Sequence, residues 1–224
     1  MNPIWVALDT PELGAAEALA RAVAPHSGGV KLGLEFFSAN GRAGVERIAA
    51  LDAPLFLDLK LHDIPNTVAG AMRALARLQP DIVTVHAAGG HAMMRAAKTS
   101  APAGTRVVAV TVLTSMDSHD LAELGLGSFT TAQLAARYAA AARAAGLDGF
   151  VSSAAEVREL KAAWPDAFAV VPGIRPAGEA PGDQKRAMTP REALAAGADV
   201  LVIGRPITAA PDPAAAAHAI AAAL

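Results

Sequence analysis

The chain has 224 residues, a length that α/β barrels reach undivided, and an apolar fraction of 53%, rich in alanine, that supports helices packed on a sheet. Its formal charge of −2 argues against generic nucleic-acid binding, and the lack of cysteine excludes disulfides, thiolate metal sites and cysteine nucleophiles together. No apolar run is long enough to cross a bilayer, and Met1 to Asp9 lacks the basic start and long apolar stretch of a signal peptide, so a cytoplasmic protein without a membrane partner is expected.

In chain order, short β-type runs recur at 4–8, 29–33, 54–59, 82–86, 106–112, 149–152, 167–171 and 200–203, with the near-continuous apolar character of strands buried on both faces. Helical stretches separate them, most clearly at 12–24, 68–78, 131–145 and 155–164. In the second of these, Val68, Met72, Leu75 and Leu78 follow the spacing of one buried stripe, with Arg73 and Arg77 on the outer face. About eight strands alternating with helices predict an α/β fold, a single (β/α)8 TIM barrel over residues 1–224. Only 172–190, rich in Gly, Pro and charge, forms a long irregular segment, and such loops in compact domains tend to be functional.

A doubly wound open sheet fits the same alternation, and the placement of polar residues decides between the two. Asp9 closes the first run, Lys31 lies in the second, Asp58 and Lys60 end the third and His86 the fourth. Thr111 and Thr114 follow the fifth, Ser152 and Ser153 the sixth, Arg175 the seventh, and Gly204 with Arg205 the eighth. Barrels of this type assemble their sites from the C-terminal ends of all strands, whereas an open sheet binds at one switch point.

The densest cluster is Asp58-Leu59-Lys60-Leu61-His62-Asp63-Ile64-Pro65-Asn66-Thr67, directly after the apolar run 54–57. Strand alternation sends Asp58 and Lys60 to one face and Leu57, Leu59 and Leu61 to the other. Burying unlike charges this close together costs several kcal/mol per ion unless each is paired, an arrangement tolerated mostly where chemistry needs it. The alternatives are a strand-end ion pair, with Asp63 or Asn66 capping the next helix. Lys31, a charge inside an apolar strand, either joins Asp58 in one network or snorkels at a rim. Asp9 either accepts from sugar hydroxyls or caps the helix that follows Thr10-Pro11. Arg175 and Gly204-Arg205 follow the seventh and eighth strands, where such barrels usually hold phosphate, with Gln184 in the long loop available to close over it; the alternative is a plain turn at Gly204 and solvated loop charges. His62, His86 and His91 match no chelating motif and are read as polar support or caps, so no metal site is expected. Met93 and Met94 read as core filler.

These segments together resemble the orotidine 5′-phosphate decarboxylase family. The likeness runs from Val6-Ala7-Leu8-Asp9 and Val30-Lys31-Leu32-Gly33 through the decapeptide to Val85-His86-Ala87 and Val110-Thr111-Val112-Leu113-Thr114-Ser115. It continues through Pro172-Gly173-Ile174-Arg175-Pro176 and Gly182-Asp183-Gln184 to Ile203-Gly204-Arg205-Pro206, all in family order. The resemblance implies a barrel of ribulose-phosphate-binding type and cofactor-free decarboxylation of orotidine 5′-monophosphate to uridine 5′-monophosphate. It makes Lys31, Asp58, Lys60 and Asp63 an alternating charge array with Lys60 as the proton donor. It assigns Asp9 and Lys31 to the ribose, Thr114 to the pyrimidine, and Arg175, Gln184, Gly204 and Arg205 to the phosphate. It also implies a homodimer in which Asp63, Ile64 and Thr67 reach the neighbouring subunit's site. Two further readings remain at this point. A magnesium-dependent sugar-phosphate decarboxylase or aldolase would share the spacing of the charges, and a non-enzymatic phosphosugar-binding barrel would need Gly204 and Arg205 but not Lys60.

Overall fold

Strands β1 (Ile4–Ala7), β2 (Gly29–Leu32), β3 (Leu55–Leu61), β4 (Ile82–His86), β5 (Arg106–Val110), β6 (Gly149–Val151), β7 (Phe168–Val171) and β8 (Val200–Ile203) pair in parallel in chain order, and β1 closes onto β8. This closed barrel is seen in a computed structural model that describes residues 2–176 and 188–224. Around it run α1 (Leu13–Val23), α2 (Leu34–Ala49), α3 (Pro65–Leu75), α4 (Gly90–Ser100), α5 (Ser118–Glu123), α6 (Thr131–Ala144), α7 (Val157–Ala163), α8 (Pro190–Ala195), α9 (Arg205–Thr208) and α10 (Pro213–Ala222). None of the described helices is long and apolar enough to cross a membrane.

Alternation along the strands builds two apolar layers. Trp5, Ala7, Phe56, Ile82, Val108, Val170, Val200 and Val202 form a cluster inside the barrel. Their neighbours Val6, Leu57, Val83, Val107, Ala169 and Leu201 belong to the larger layer shared with the helices. The interior is floored by Trp5 and Phe56, whose rings meet edge to face with centroids 6.2 Å apart. Gly29 makes room for that floor, since a Cβ there would lie 2.7 Å from the Trp5 ring. Above Phe56 the interior turns polar, because Lys31 pairs with Phe56 in register and Asp58 stands two residues further along β3.

Most predicted strands fall within two residues of the observed ones. β3 is longer than expected, ending at Leu61, and it is irregular. Leu57 pairs with Val83 but the next pair is Leu61 with Val85, so β3 spends four steps where β4 spends two. Lys60 sits in this bulge with φ of 49°, a left-handed conformation that non-glycine residues adopt at a cost of roughly 1–2 kcal/mol. β5 ends at Val110, two residues earlier than expected, and Thr111 just beyond it still donates its N–H and hydroxyl to the Val151 carbonyl of β6 at 3.1 and 2.9 Å. Val68, Met72, Leu75 and Leu78 are buried and Arg73 and Arg77 exposed, as their spacing predicts, and α3 begins three residues earlier on Pro65.

Candidate active site

Lys31 of β2, Asp58 and Lys60 of β3, and Asp9 just beyond β1 set four charges against one another at the barrel mouth, beside Thr84 of β4. Lys31 is buried, and its Nζ lies 3.1 Å from Asp9 Oδ1 and 3.5 Å from Asp58 Oδ2. The Lys60 Nζ donates to both Asp58 oxygens, at 2.9 and 2.8 Å. Thr84, fully buried on β4, donates to Asp58 Oδ1 at 3.0 Å and accepts the Lys60 backbone N–H at 2.9 Å. Burial is the largest influence on the Asp58 carboxyl and acts to raise its pKa. The Lys31 and Lys60 charges, with hydrogen bonds from Lys60 and Thr84, outweigh it and hold Asp58 below the ordinary carboxylate range. An ammonium carries three donors, and two of those on Lys60 point at Asp58, which leaves one for the cavity.

That cavity is about 460 Å³, within the range of small-molecule sites. Asp9, Lys31, Asp58 and Lys60 line it together with Arg175, Gly204 and Arg205. Thr114 and Ser152 contribute polar wall, and Leu34, Val112 and Leu113 apolar wall. Two glycines keep it open. A Cβ on Gly33 would stand 3.1 Å from Lys31 Nζ and 3.3 Å from Asp9 Oδ1, crowding that ion pair. A Cβ on Gly204 would meet Ala7 and Asp9 only at ordinary contact distances of 3.6–3.9 Å, so packing does not demand glycine there and its absent side chain leaves cavity wall bare.

Of the residues singled out in the sequence, Asp9, Lys31, Asp58, Lys60, Thr114, Arg175, Gly204 and Arg205 share this cavity. Gln184 lies outside the described residues. Asp63, Ile64 and Thr67 are not brought to the cavity but stand exposed at the start of α3. There Asp63 Oδ1 accepts the adjacent Ile64 N–H at 2.6 Å, and α3 has no side-chain cap, so the capping alternative for Asp63 and Asn66 is not what the structure adopts. Asp63 and Ile64 border a second, shallow depression with His62, Pro65, Ala88 and Gly89.

Asp9 does not cap α1 either. That helix starts after Glu12, whose N–H donates to Thr10 Oγ1 at 3.3 Å, while the Asp9 carboxylate turns to Lys31. Thr111 is spent on the sheet, and Ser153 on the buried carboxylate of Glu156. The His62 and His86 rings stack at 5.4 Å, and burial, then His62 and Lys60, push the His86 pKa down. His91 reaches the Ala144 carbonyl at 3.2 Å. Sequence reasoning passed over Thr84. Its signal was a hydroxyl inside the apolar run Ile82–His86, two residues before the strand end.

Residues 2–220 match the family described as "Orotidine 5'-phosphate decarboxylase / HUMPS family". A curated protein of Sphingopyxis alaskensis named orotidine 5′-phosphate decarboxylase is 57% identical, over 100% of this chain and 99% of its own length. Another of that name, from Novosphingobium aromaticivorans, is 58% identical over the same shares. The crystal structure of orotidine 5′-phosphate decarboxylase from Lactobacillus acidophilus superposes with a TM-score of 0.85 at 37% identity, covering 98% of this chain and 97% of that one. Full-length identity on this scale, on a barrel whose strand ends converge on one charged cavity, means that the chain belongs to the orotidine 5′-phosphate decarboxylase family.

Proposed function

We propose that this chain decarboxylates orotidine 5′-monophosphate to uridine 5′-monophosphate, the last step of de novo pyrimidine synthesis, using the Lys31, Asp58 and Lys60 array and no cofactor. The observation that carries the reading is that array, lining one cavity together with Arg175 and Arg205. A nucleotide fits this lining, with its phosphate toward the arginines and Gly204, its ribose against Asp9 and Lys31, and its pyrimidine near Thr114 and Lys60. Gln184 is assigned to the phosphate as well.

Loss of carbon dioxide breaks the bond between ring and carboxylate and leaves the electron pair in the ring plane, out of reach of the π-system. The charge must therefore be stabilised by what faces it. The third donor of Lys60 is assigned to that position, and Asp58 holds the ammonium through the other two. Proton transfer from Lys60 to the ring carbon completes uridine 5′-monophosphate, and solvent reprotonates the amine. Asp58 also stands close to the departing carboxylate. Two like charges about 4 Å apart repel by roughly 4 kcal/mol at an effective dielectric of about 20, and neutral carbon dioxide relieves that repulsion. The main contribution is assigned to Lys60, since only its interaction grows toward the transition state. The working form is a cytoplasmic homodimer, with Asp63, Ile64 and Thr67 directed at the neighbouring site.

The reaction is tested by following substrate absorbance after exhaustive chelation, where full activity is expected. An absolute requirement for added magnesium would instead favour a sugar-phosphate decarboxylase or aldolase. Binding without turnover would leave only a phosphosugar-binding barrel.

Arg205→Ala tests the phosphate end. Hydrogen bonds to charged groups contribute about 1.5–3 kcal/mol, so the Michaelis constant should rise about 10- to 100-fold. Turnover should fall too, because phosphate binding energy is spent on ordering the site. On the substrate lacking its phosphate, variant and wild type should perform alike. An equal loss on both substrates would remove Arg205 from this role.

A further inference from the structure

The bulge in β3 leaves the Lys60 N–H without the carbonyl that a regular parallel ladder would offer, because β4 supplies only Thr84 and Val85 opposite the four steps from Leu57 to Leu61. The Thr84 hydroxyl occupies that vacancy. It accepts the Lys60 N–H at 2.9 Å and spends its single proton on Asp58 Oδ1 at 3.0 Å. One fully buried oxygen thus ties together the backbone of one charged residue and the side chain of the other. Lys60 is also the residue held at φ of 49°, and that turn folds its side chain back so that Nζ meets both oxygens of a carboxylate only two residues away. A left-handed lysine persists only where its surroundings over-determine it.

We propose that Thr84 is a positioning residue for the reaction: its hydroxyl replaces the ladder partner lost in the β3 bulge, and so fixes the Lys60 backbone and the Asp58 carboxylate in one geometry. Thr84 does not line the cavity and acts through those two groups. Its kinetic consequence rests on the reaction assigned above, whereas its geometric consequence does not.

The test compares Thr84→Ser, Thr84→Cys and Thr84→Val. Serine keeps the hydroxyl, cysteine offers a weak donor and acceptor of similar size, and valine keeps the shape with neither. Turnover should fall in that order, by about 10²-fold in the valine variant, the scale set by a 1 Å misplacement near a reacting centre. The Michaelis constant should stay within about threefold, because the residues assigned to ribose and phosphate are untouched. Equal turnover in all three, with only the melting temperature lowered in valine, would reduce Thr84 to a packing residue and overturn the proposal. So would a serine variant as impaired as valine. Should the valine variant fail to fold, the contrast between serine and cysteine decides, and cysteine turning over like wild type overturns it.

A second measurement separates this proposal from the assigned reaction. The Asp58 carboxyl, followed by carbon NMR against pH, should titrate higher in the cysteine and valine variants than in wild type or serine, because a hydrogen bond to its charged form has been lost. An unshifted titration refutes the role of Thr84 whatever the substrate. Absence of decarboxylation in the unaltered protein, with the titration shifted as expected, fails the assigned reaction alone.

Discussion

Lys60→Ala is expected to lower turnover of orotidine 5′-monophosphate by about 10⁴-fold or more while leaving uridine 5′-monophosphate binding nearly intact. Two effects are lost together. Removing a preorganised donor from a developing anion costs about 10²–10³-fold, and removing a general acid costs about 10²–10⁴-fold, with incomplete additivity because one group does both. The fold should survive the change. Asp58 keeps Thr84 at 3.0 Å and Lys31 at 3.5 Å, so it is not left as an unpaired buried charge. The positive φ at this position is no worse for alanine than for lysine. Product binding is expected to persist because Arg175, Arg205 and Asp9 are untouched. The measurement is single-turnover absorbance alongside calorimetric titration of the product. A variant retaining a tenth of wild-type turnover would take the proton-donor role away from Lys60.

The barrel was readable because parallel strands covered on both faces leave a strong trace, namely short apolar runs between helical stretches. β4, β6, β7 and β8 fall almost residue for residue where those runs lie. The charges were readable for the same reason in reverse. Lys31 and Asp58 interrupt otherwise apolar strands, and burial without partners would be prohibitive, so each predicts the other. What could not be read was whatever depends on contacts between segments. α2 is not among the helical stretches singled out in the sequence, and it is kinked where Gly41 adopts φ of 58°. α10 is nearly all alanine, with no stripe to reveal its buried side. The β3 bulge is a mismatch with β4, invisible in β3 alone, and with it went the importance of Thr84. Asp63 belongs to the charged decapeptide, but sequence spacing alone does not show that, unlike Asp58 and Lys60, it lies outside the lining of the cavity.

That placement leads to the second large effect. Asp63 stands exposed outside the cavity that holds Lys60, next to Ile64, whose side chain is among the most exposed large apolar groups of the described residues at 67%. In the proposed homodimer, an aspartate that stands outside its own subunit's cavity is expected to complete the array of the second copy. In an isologous dimer such a contact is made twice. Asp63→Ala should therefore be severely impaired on its own, as Lys60→Ala is. Mixing the two inactive variants under conditions that allow subunit exchange separates the possibilities. If Asp63 acts across the interface, each mixed dimer gathers both lesions into one site and leaves the other whole. Random exchange of equal amounts makes roughly half the dimers mixed, so about a quarter of all sites should regain activity. If Asp63 serves its own subunit, every site in every dimer keeps one lesion and nothing is regained. Native mass spectrometry of differently tagged chains verifies that exchange has occurred. Samples that exchange and remain inactive refute the shared site, and recovery near one quarter assigns Asp63 to the partner's chemistry.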